Sequence, residues 1–272
     1  MADNIEDAAA AVRGGADTLH RNPVLQTLAR AGYAVNGLIH LLIGAIAISV
    51  AFGGNGEADQ SGALAEIARY PLGFVVLWAL VVGLGALGLF QLVEAAVIRG
   101  TDKDDWADRG KEAAKGVAYL AIGGSAATFA MGGSSNSGAQ SQDLSATLLG
   151  TPGGIILLVL VGLVAAVVGV YFVVKGARKK FLEDLSLPNR TWRRIATALG
   201  IVGYVAKGIA IFVVGVLFLI AAATTDPSGA TGLDGALKSL AALPAGVFVL
   251  LFVGVGLIAY GVYCFVRARF RA

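Results

Sequence analysis

The chain has 272 residues, 57% of them apolar and only 14% charged, with a mean hydropathy of +0.76. A soluble domain of this length carries nearer a quarter charged residues, so the composition excludes an ordinary soluble enzyme or binding domain. The formal charge of +3 is small, and Cys264 is the only cysteine, which excludes an intrachain disulfide and a cysteine-built metal site within one chain.

Six stretches, near 33–52, 73–98, 113–132, 153–174, 199–222 and 245–266, reach the about 20 apolar residues that cross a bilayer. The expected fold is an all-α integral membrane protein with six transmembrane helices. Residues 1–27 read as a cytoplasmic tail, in which Ile5 and Ala8–Val12 fit either a surface amphipathic helix or a loosely ordered segment. The segment before the first span is long and acidic early (Asp3, Glu6, Asp7), unlike a removed signal peptide. Asn22-Pro23 reads as a cap with proline at the first helical position.

Basic residues divide unevenly. The tail, the second-to-third and fourth-to-fifth connections and the C-terminus hold nearly all of them, while only Arg69 and Lys238 fall on the other side. By the positive-inside rule both termini are expected in the cytoplasm and the membrane is the cytoplasmic one.

One pattern recurs three times. Gly32-Tyr33-Ala34-Val35-Asn36-Gly37 closes at Gly44, Lys111-Glu112-Ala113-Ala114-Lys115-Gly116 closes at Gly123, and Gly203-Tyr204-Val205-Ala206-Lys207-Gly208 closes at Gly215. After each odd span a polar stretch carries a short capped helix (Ser61–Ile67, Asp143–Leu148, Asp234–Leu240) and then a Pro-x-Gly turn at Gly73, Gly154 or Gly246. Gly88-x-Phe90, Gly169-x-Tyr171 and Gly261-x-Tyr263 mark the even spans, each followed four residues later by Glu94, Lys175 or Arg267. Three two-helix repeats are therefore expected, at 28–98, 111–178 and 195–270. An even number of spans per repeat keeps every copy in one orientation, which is the parallel class of internal repeat with pseudo-threefold symmetry.

This pattern resembles an actinobacterial polytopic membrane family, domain of unknown function 1206, over residues 28–98, 111–178 and 199–270. The middle copy departs most, with Lys111-Glu112 in place of Gly-Tyr. The resemblance implies the fold and brings no catalytic residues.

Gly83-Leu84-Gly85-Ala86-Leu87-Gly88 matches a dinucleotide fingerprint, but it lies inside an apolar span without the strand that motif needs. Close helix packing is the expected role, as for Gly162, Gly169, Gly200, Gly203, Gly254 and Gly256. Asn36, Lys115 and Lys207 share one repeat position, and Glu94, Lys175 and Arg267 another. Snorkelling, or a Glu94–Lys pair, accounts for them most simply. The sharper expectation is a cationic ring on the axis that binds an anion or an acidic headgroup.

His40 is expected to be a buried histidine bonded to a neighbouring helix rather than a proton relay, and Gln91 to bond between helices. With His20 the only other histidine, no metal or cofactor is expected. Arg178-Lys179-Lys180, Arg193-Arg194 and the nearby apolar residues read as an anionic-lipid contact, not a nucleic-acid site, because Glu183 and Asp184 share the loop. Trp106 and Trp192 read as interfacial anchors. Cys264 reads as a small apolar residue, and Gly132–Ser145 as a flexible connector.

No catalytic set is visible. The leading expectation is a non-enzymatic scaffold or accessory subunit whose partners are the bilayer, anionic headgroups and another membrane protein. The alternative is a small transporter or channel with its pathway, or an anion or lipid site, on the threefold axis.

Overall fold

The computed structural model describes residues 23–98, 102–183 and 185–270. Residues 1–22 of the expected 1–27 tail, with His20 and the expected cap Asn22, lie outside them, as does Asp184. The described residues form nine α-helices and no strand: α1 (Pro23–Ala51), α2 (Gln60–Ala68), α3 (Gly73–Val97), α4 (Lys103–Ala130), α5 (Ser137–Leu149), α6 (Gly154–Ala177), α7 (Arg190–Thr224), α8 (Gly232–Ala241) and α9 (Gly246–Phe270).

Side-chain caps set several starts. Asp59 accepts from Gly62 N at 3.0 Å, Asn136 from Ala139 N at 2.7 Å and Asn189 from Trp192 N at 2.9 Å. α5 begins at Asn136, so most of the connector expected to be flexible is helical. Each Pro-x-Gly turn brings its glycine against the end of the preceding short helix. A Cβ at Gly73, Gly154 or Gly246 would collide with the carbonyls of Ile67, Leu148 and Leu240, respectively.

Five helices are long and apolar enough to cross a membrane: Arg30–Ala51 within α1, and α3, α6, α7 and α9. Rows of large apolar side chains stay exposed on them, including Val82 (65%), Ile156 (73%), Val167 (66%) and Phe248 (74%). Such a surface suits hydrocarbon and not water. This is a multi-pass helical membrane protein. The span expected at 113–132 falls in α4, which is helical but less apolar, because Lys115, Gly123-Gly124, Ser125 and Thr128 dilute it.

The long helices pack in an order the repeat pattern does not reveal. α3 packs on α4, α6 on α7, and α9 on α1, so each second helix meets the first helix of the next repeat, and the last repeat returns to the first. Glycine faces glycine at every one of these seams. A methyl built on Gly169 would stand 2.7 Å from the Gly208 carbonyl oxygen; on Gly261, 2.7 Å from that of Gly37; on Gly88, 3.0 Å from that of Gly116. One heptad further along, Gly162 faces Gly215 (3.0 Å) and Gly254 faces Gly44 (3.1 Å). The α3–α4 seam has Val81 at that level, and Gly123 there has its nearest neighbour, Leu84, at 3.5 Å. A Cβ built on Gly83 or Gly85 would meet nothing within 4 Å, so of the three glycines in the apparent fingerprint only Gly88 has its missing side chain required by a neighbour.

α7 also packs along α9. The central cluster joins Ile39, Ile43 and Ala47 of α1, Ala210 of α7, Leu237 and Leu240 of α8, and Leu250, Val253 and Leu257 of α9. At one end of the bundle the N-termini of the three short helices meet. Ala58 N donates to Asp234 Oδ1 at 2.8 Å, Ser137 N to Ser61 Oγ at 3.0 Å, and Asn136 Nδ2 to Glu57. Asp226, in the loop before α8, accepts from Ser228 N at 2.9 Å, and that bond holds its carboxyl below the usual carboxylate range.

The seams predict a sharp contrast between glycines. Gly208→Leu has to force apart two backbones in contact, and it is expected to cost about 1–3 kcal/mol. Gly83→Leu meets open space and is expected to stay within about 0.5 kcal/mol of the parent. Thermal unfolding of the full chain in detergent measures both.

Candidate functional site

The polar residues singled out by the repeats fall at one end of the three seams, the end that carries Glu94, Lys175 and Arg267, and they form two groups rather than one ring. The larger group lies where α1, α6, α7 and α9 approach one another. Lys207 of α7 places its ammonium 4.2 Å from the centre of the Tyr260 ring and 5.3 Å from that of Phe172. Lys175 of α6 lies 5.7 Å from the Tyr204 ring, and the Arg267 guanidinium 4.5 Å from the Tyr33 ring. Arg267 Nη1 also donates to Tyr204 OH at 3.4 Å.

The smaller group sits between α3 and α4. Gln91 Nε2 donates to Glu112 Oε2 at 2.7 Å, and Lys115 Nζ to Glu112 Oε1 at 2.5 Å. Glu94 belongs to this seam by position. Lys115 therefore pairs with Glu112, one turn before it on its own helix, a residue the sequence reading passed over.

A seam rule emerges. In the α6–α7 and α9–α1 seams, the cation four residues past the aromatic of Gly-x-aromatic lies over the tyrosine that opens the first-helix pattern. In the α3–α4 seam both partners change sign or type together: Glu94 replaces the cation and Glu112 replaces the tyrosine. Desolvated cation–π contacts contribute about 2 kcal/mol. That is close to the about 2.5–3.5 kcal/mol a lysine or arginine costs at the centre of a span. The rings thus offset most of the burial cost, and Lys207 turns inward to Phe172 and Tyr260 instead of reaching for the headgroups.

Asn36 and His40 complete the larger group differently from expectation. His40 Nδ1 lies 2.8 Å from the Asn36 carbonyl oxygen of its own helix, and its link to a neighbouring helix is a ring contact with Tyr260 at 4.7 Å. Asn36 Nδ2 donates to Cys264 Sγ at 3.4 Å, so Cys264 is buried and also serves as an acceptor.

Beneath this group Phe181 is fully buried although it belongs to the basic loop. It stacks on Tyr204 (5.3 Å, 15°) and meets Tyr263 edge-on (5.3 Å, 81°), and Tyr263 OH donates to its carbonyl at 3.1 Å. The loop read as a lipid contact is therefore pinned to the bundle by its first aromatic. Ser186 N, bonded to Phe270 O at 2.8 Å, pins it again. Trp106, 60% exposed, lies under the Arg109 guanidinium at 4.5 Å, and Trp192 rests on Phe270 at 5.0 Å.

The family described as Domain of Unknown Function (DUF1206) matches residues 31–97, 111–179 and 202–271. The chain belongs to this family. Each DUF1206 repeat holds one first helix, one short connecting helix and one second helix, so both polar groups are built between repeats. A relative from Bacillus subtilis (strain 168), named "Uncharacterized protein YxxB", is 30% identical over 256 residues and covers 92% of each chain. No solved structure matches the chain. Among the described residues no cluster of three or more histidine, cysteine or acidic side chains has the arrangement of a metal site.

The seam rule predicts coupling between Glu94 and Glu112. Glu112→Tyr alone strips Gln91 and Lys115 of their acceptor, and Glu94→Arg alone lacks a ring to cover it. The double variant recreates the other two seams, and it is expected to unfold later than the sum of the single effects predicts. The coupling energy should be about 0.5–2 kcal/mol in a double-mutant cycle read by thermal unfolding.

Proposed function

We propose that this protein is a non-enzymatic scaffold or accessory subunit of the cytoplasmic membrane. It has six transmembrane helices, arranged as three parallel two-helix repeats about a pseudo-threefold axis, with both termini cytoplasmic. The observation that carries the reading is the cyclic order of the glycine seams, in which the second helix of each repeat grips the first helix of the next. α4 is the sixth span in this reading. Its 28 residues extend about 42 Å, more than the about 30 Å hydrocarbon core requires, and it makes the same seam at Gly116. The orientation rests on the near absence of lysine and arginine from the outer loops, Arg69 and Lys238 excepted.

Packing around Ala210, Val253 and Leu257 supports a filled bundle over an open pathway. A scaffold also needs no catalytic constellation, and the outer loops carry polar bonds that tie the short helices to one another. Full-length protein extracted from native membranes in mild detergent is expected to migrate as an assembly. A partner-free monomer would overturn the reading.

A second reading draws on one specific observation, the convergence of Lys175, Lys207, Arg267 and His40 from four helices. Such a group suits an anion or lipid-headgroup site, or a small transporter or channel. Under the scaffold reading, proteoliposomes show no anion, proton or small-solute flux above empty vesicles. Flux that Lys207→Met abolishes would establish the second reading in its place.

A further inference from the structure

The sequence places Arg190, Arg193, Arg194, Thr197, Ala198 and Ile201 at spacings of three and one, which puts them on one face of a helix. The structure leaves that face as a shallow, open surface recess of about 720 Å³ bordered by these six residues. Its cytoplasmic end is made of three exposed guanidiniums, and its other end is made of Ala198 and Ile201, where the apolar span begins. About 16 Å of helix separates Arg190 from Ile201, so polarity falls along the recess as it does from headgroup to acyl chain.

Two further features make the basic end suited to phosphate. Guanidinium forks bind phosphate oxygens in pairs, and the N-terminal turn of α7 adds backbone N–H groups and the positive end of the helix dipole. Asn189 occupies the Trp192 N–H at 2.9 Å, which fixes the turn. Among the described residues, no carboxylate pairs with the three arginines. Trp192, resting on Phe270, sets this turn at the interface where tryptophan sits.

We propose that this face of α7 holds one anionic glycerophospholipid, its phosphate on Arg190, Arg193 and Arg194 and one acyl chain along Ala198 and Ile201. The site goes beyond the scaffold reading and does not depend on it. Lys179 and Lys180, a few residues earlier in the chain, carry the same charge but do not line this face.

The test is native mass spectrometry of the full-length protein in non-ionic detergent, titrated with phosphatidylglycerol, phosphatidylcholine or inorganic phosphate. Phosphatidylglycerol is expected to bind at least about tenfold more tightly than phosphatidylcholine. Replacing all three arginines (R190Q, R193Q, R194Q) should remove that preference, while K179Q with K180Q should leave it in place. Ala198→Trp, which fills the apolar end and keeps every arginine, should weaken phosphatidylglycerol as well.

Equal binding of the two lipids would overturn the proposal. So would an equal loss in the two-lysine variant, since that reports general charge. Displacement of the lipid by millimolar inorganic phosphate, or no effect of Ala198→Trp, would show a bare anion site in its place. Unfolding temperatures of all variants separate loss of binding from loss of fold, and single arginine replacements give the same reading if the triple variant unfolds.

Discussion

Everything else in this protein depends on two helix backbones meeting without side chains between them. In a bilayer, lipid tails are as apolar as leucine, so burial gives helices little reason to associate, and close van der Waals packing has to supply it. Glycine against glycine supplies it at Gly37–Gly261, Gly88–Gly116 and Gly169–Gly208. Because each pair joins a second helix to the first helix of the following repeat, no repeat holds both sides of its own strongest contact. The repeats interlock, and the final seam brings the first and last long helices together.

The charged residues follow from the same approach. Once the backbones touch at the glycine level, residues one to two turns further along each helix are brought opposite one another. There a cation faces a tyrosine ring in two seams, and carboxylates with Gln91 and Lys115 fill the third. The opposite ends of the long helices use a different chemistry. Three short helices meet by their N-termini, where partial positive charges accumulate, and Glu57, Asp59 and Asp234 lie at that junction. Asp59 is 2% exposed and Ser61 1%, yet Asp59 Oδ1 accepts from Ser61 Oγ at 2.6 Å and from Gly62 N at 3.0 Å, so the carboxylate is held by the helix it caps.

Much of the fold was legible because it depends on local rules. The short helices expected at Ser61–Ile67 and Asp234–Leu240 and the Pro-x-Gly turns each leave a signature within a few residues, whereas the caps Asp59, Asn136 and Asn189 were not read in advance. The order of the seams was not legible, since glycines seven apart are equally compatible with pairing inside a repeat or between repeats. Gly83 and Gly85 looked like contacts because a one-dimensional pattern does not say which face of α3 meets α4. Phe181 was missed for a related reason: one aromatic in a basic loop reads as a lipid contact unless the tertiary pocket of Tyr204 and Tyr263 is known. Within the candidate site, the repeat positions were found, but their partners Glu112, Tyr33 and Tyr260 were not. Those partners come from another helix or from a copy that breaks the pattern.

α4 shows how these constraints combine. It is the least apolar of the long helices that form seams, and its polar residues weaken its preference for hydrocarbon. It also packs chiefly on α3, whereas α9 packs on both α1 and α7. The helix least held by lipid thus rests chiefly on one seam, and that seam lacks the second glycine pair, Val81 standing where the other two seams have glycine. The bond that Glu112 accepts from Gln91 crosses the same seam and strengthens it at its Glu94 end, while Lys115 neutralises that carboxylate from its own helix. Replacing the tyrosine–cation pair by a carboxylate network there is therefore more than divergence of a repeat: it adds directional bonds where close packing is weakest.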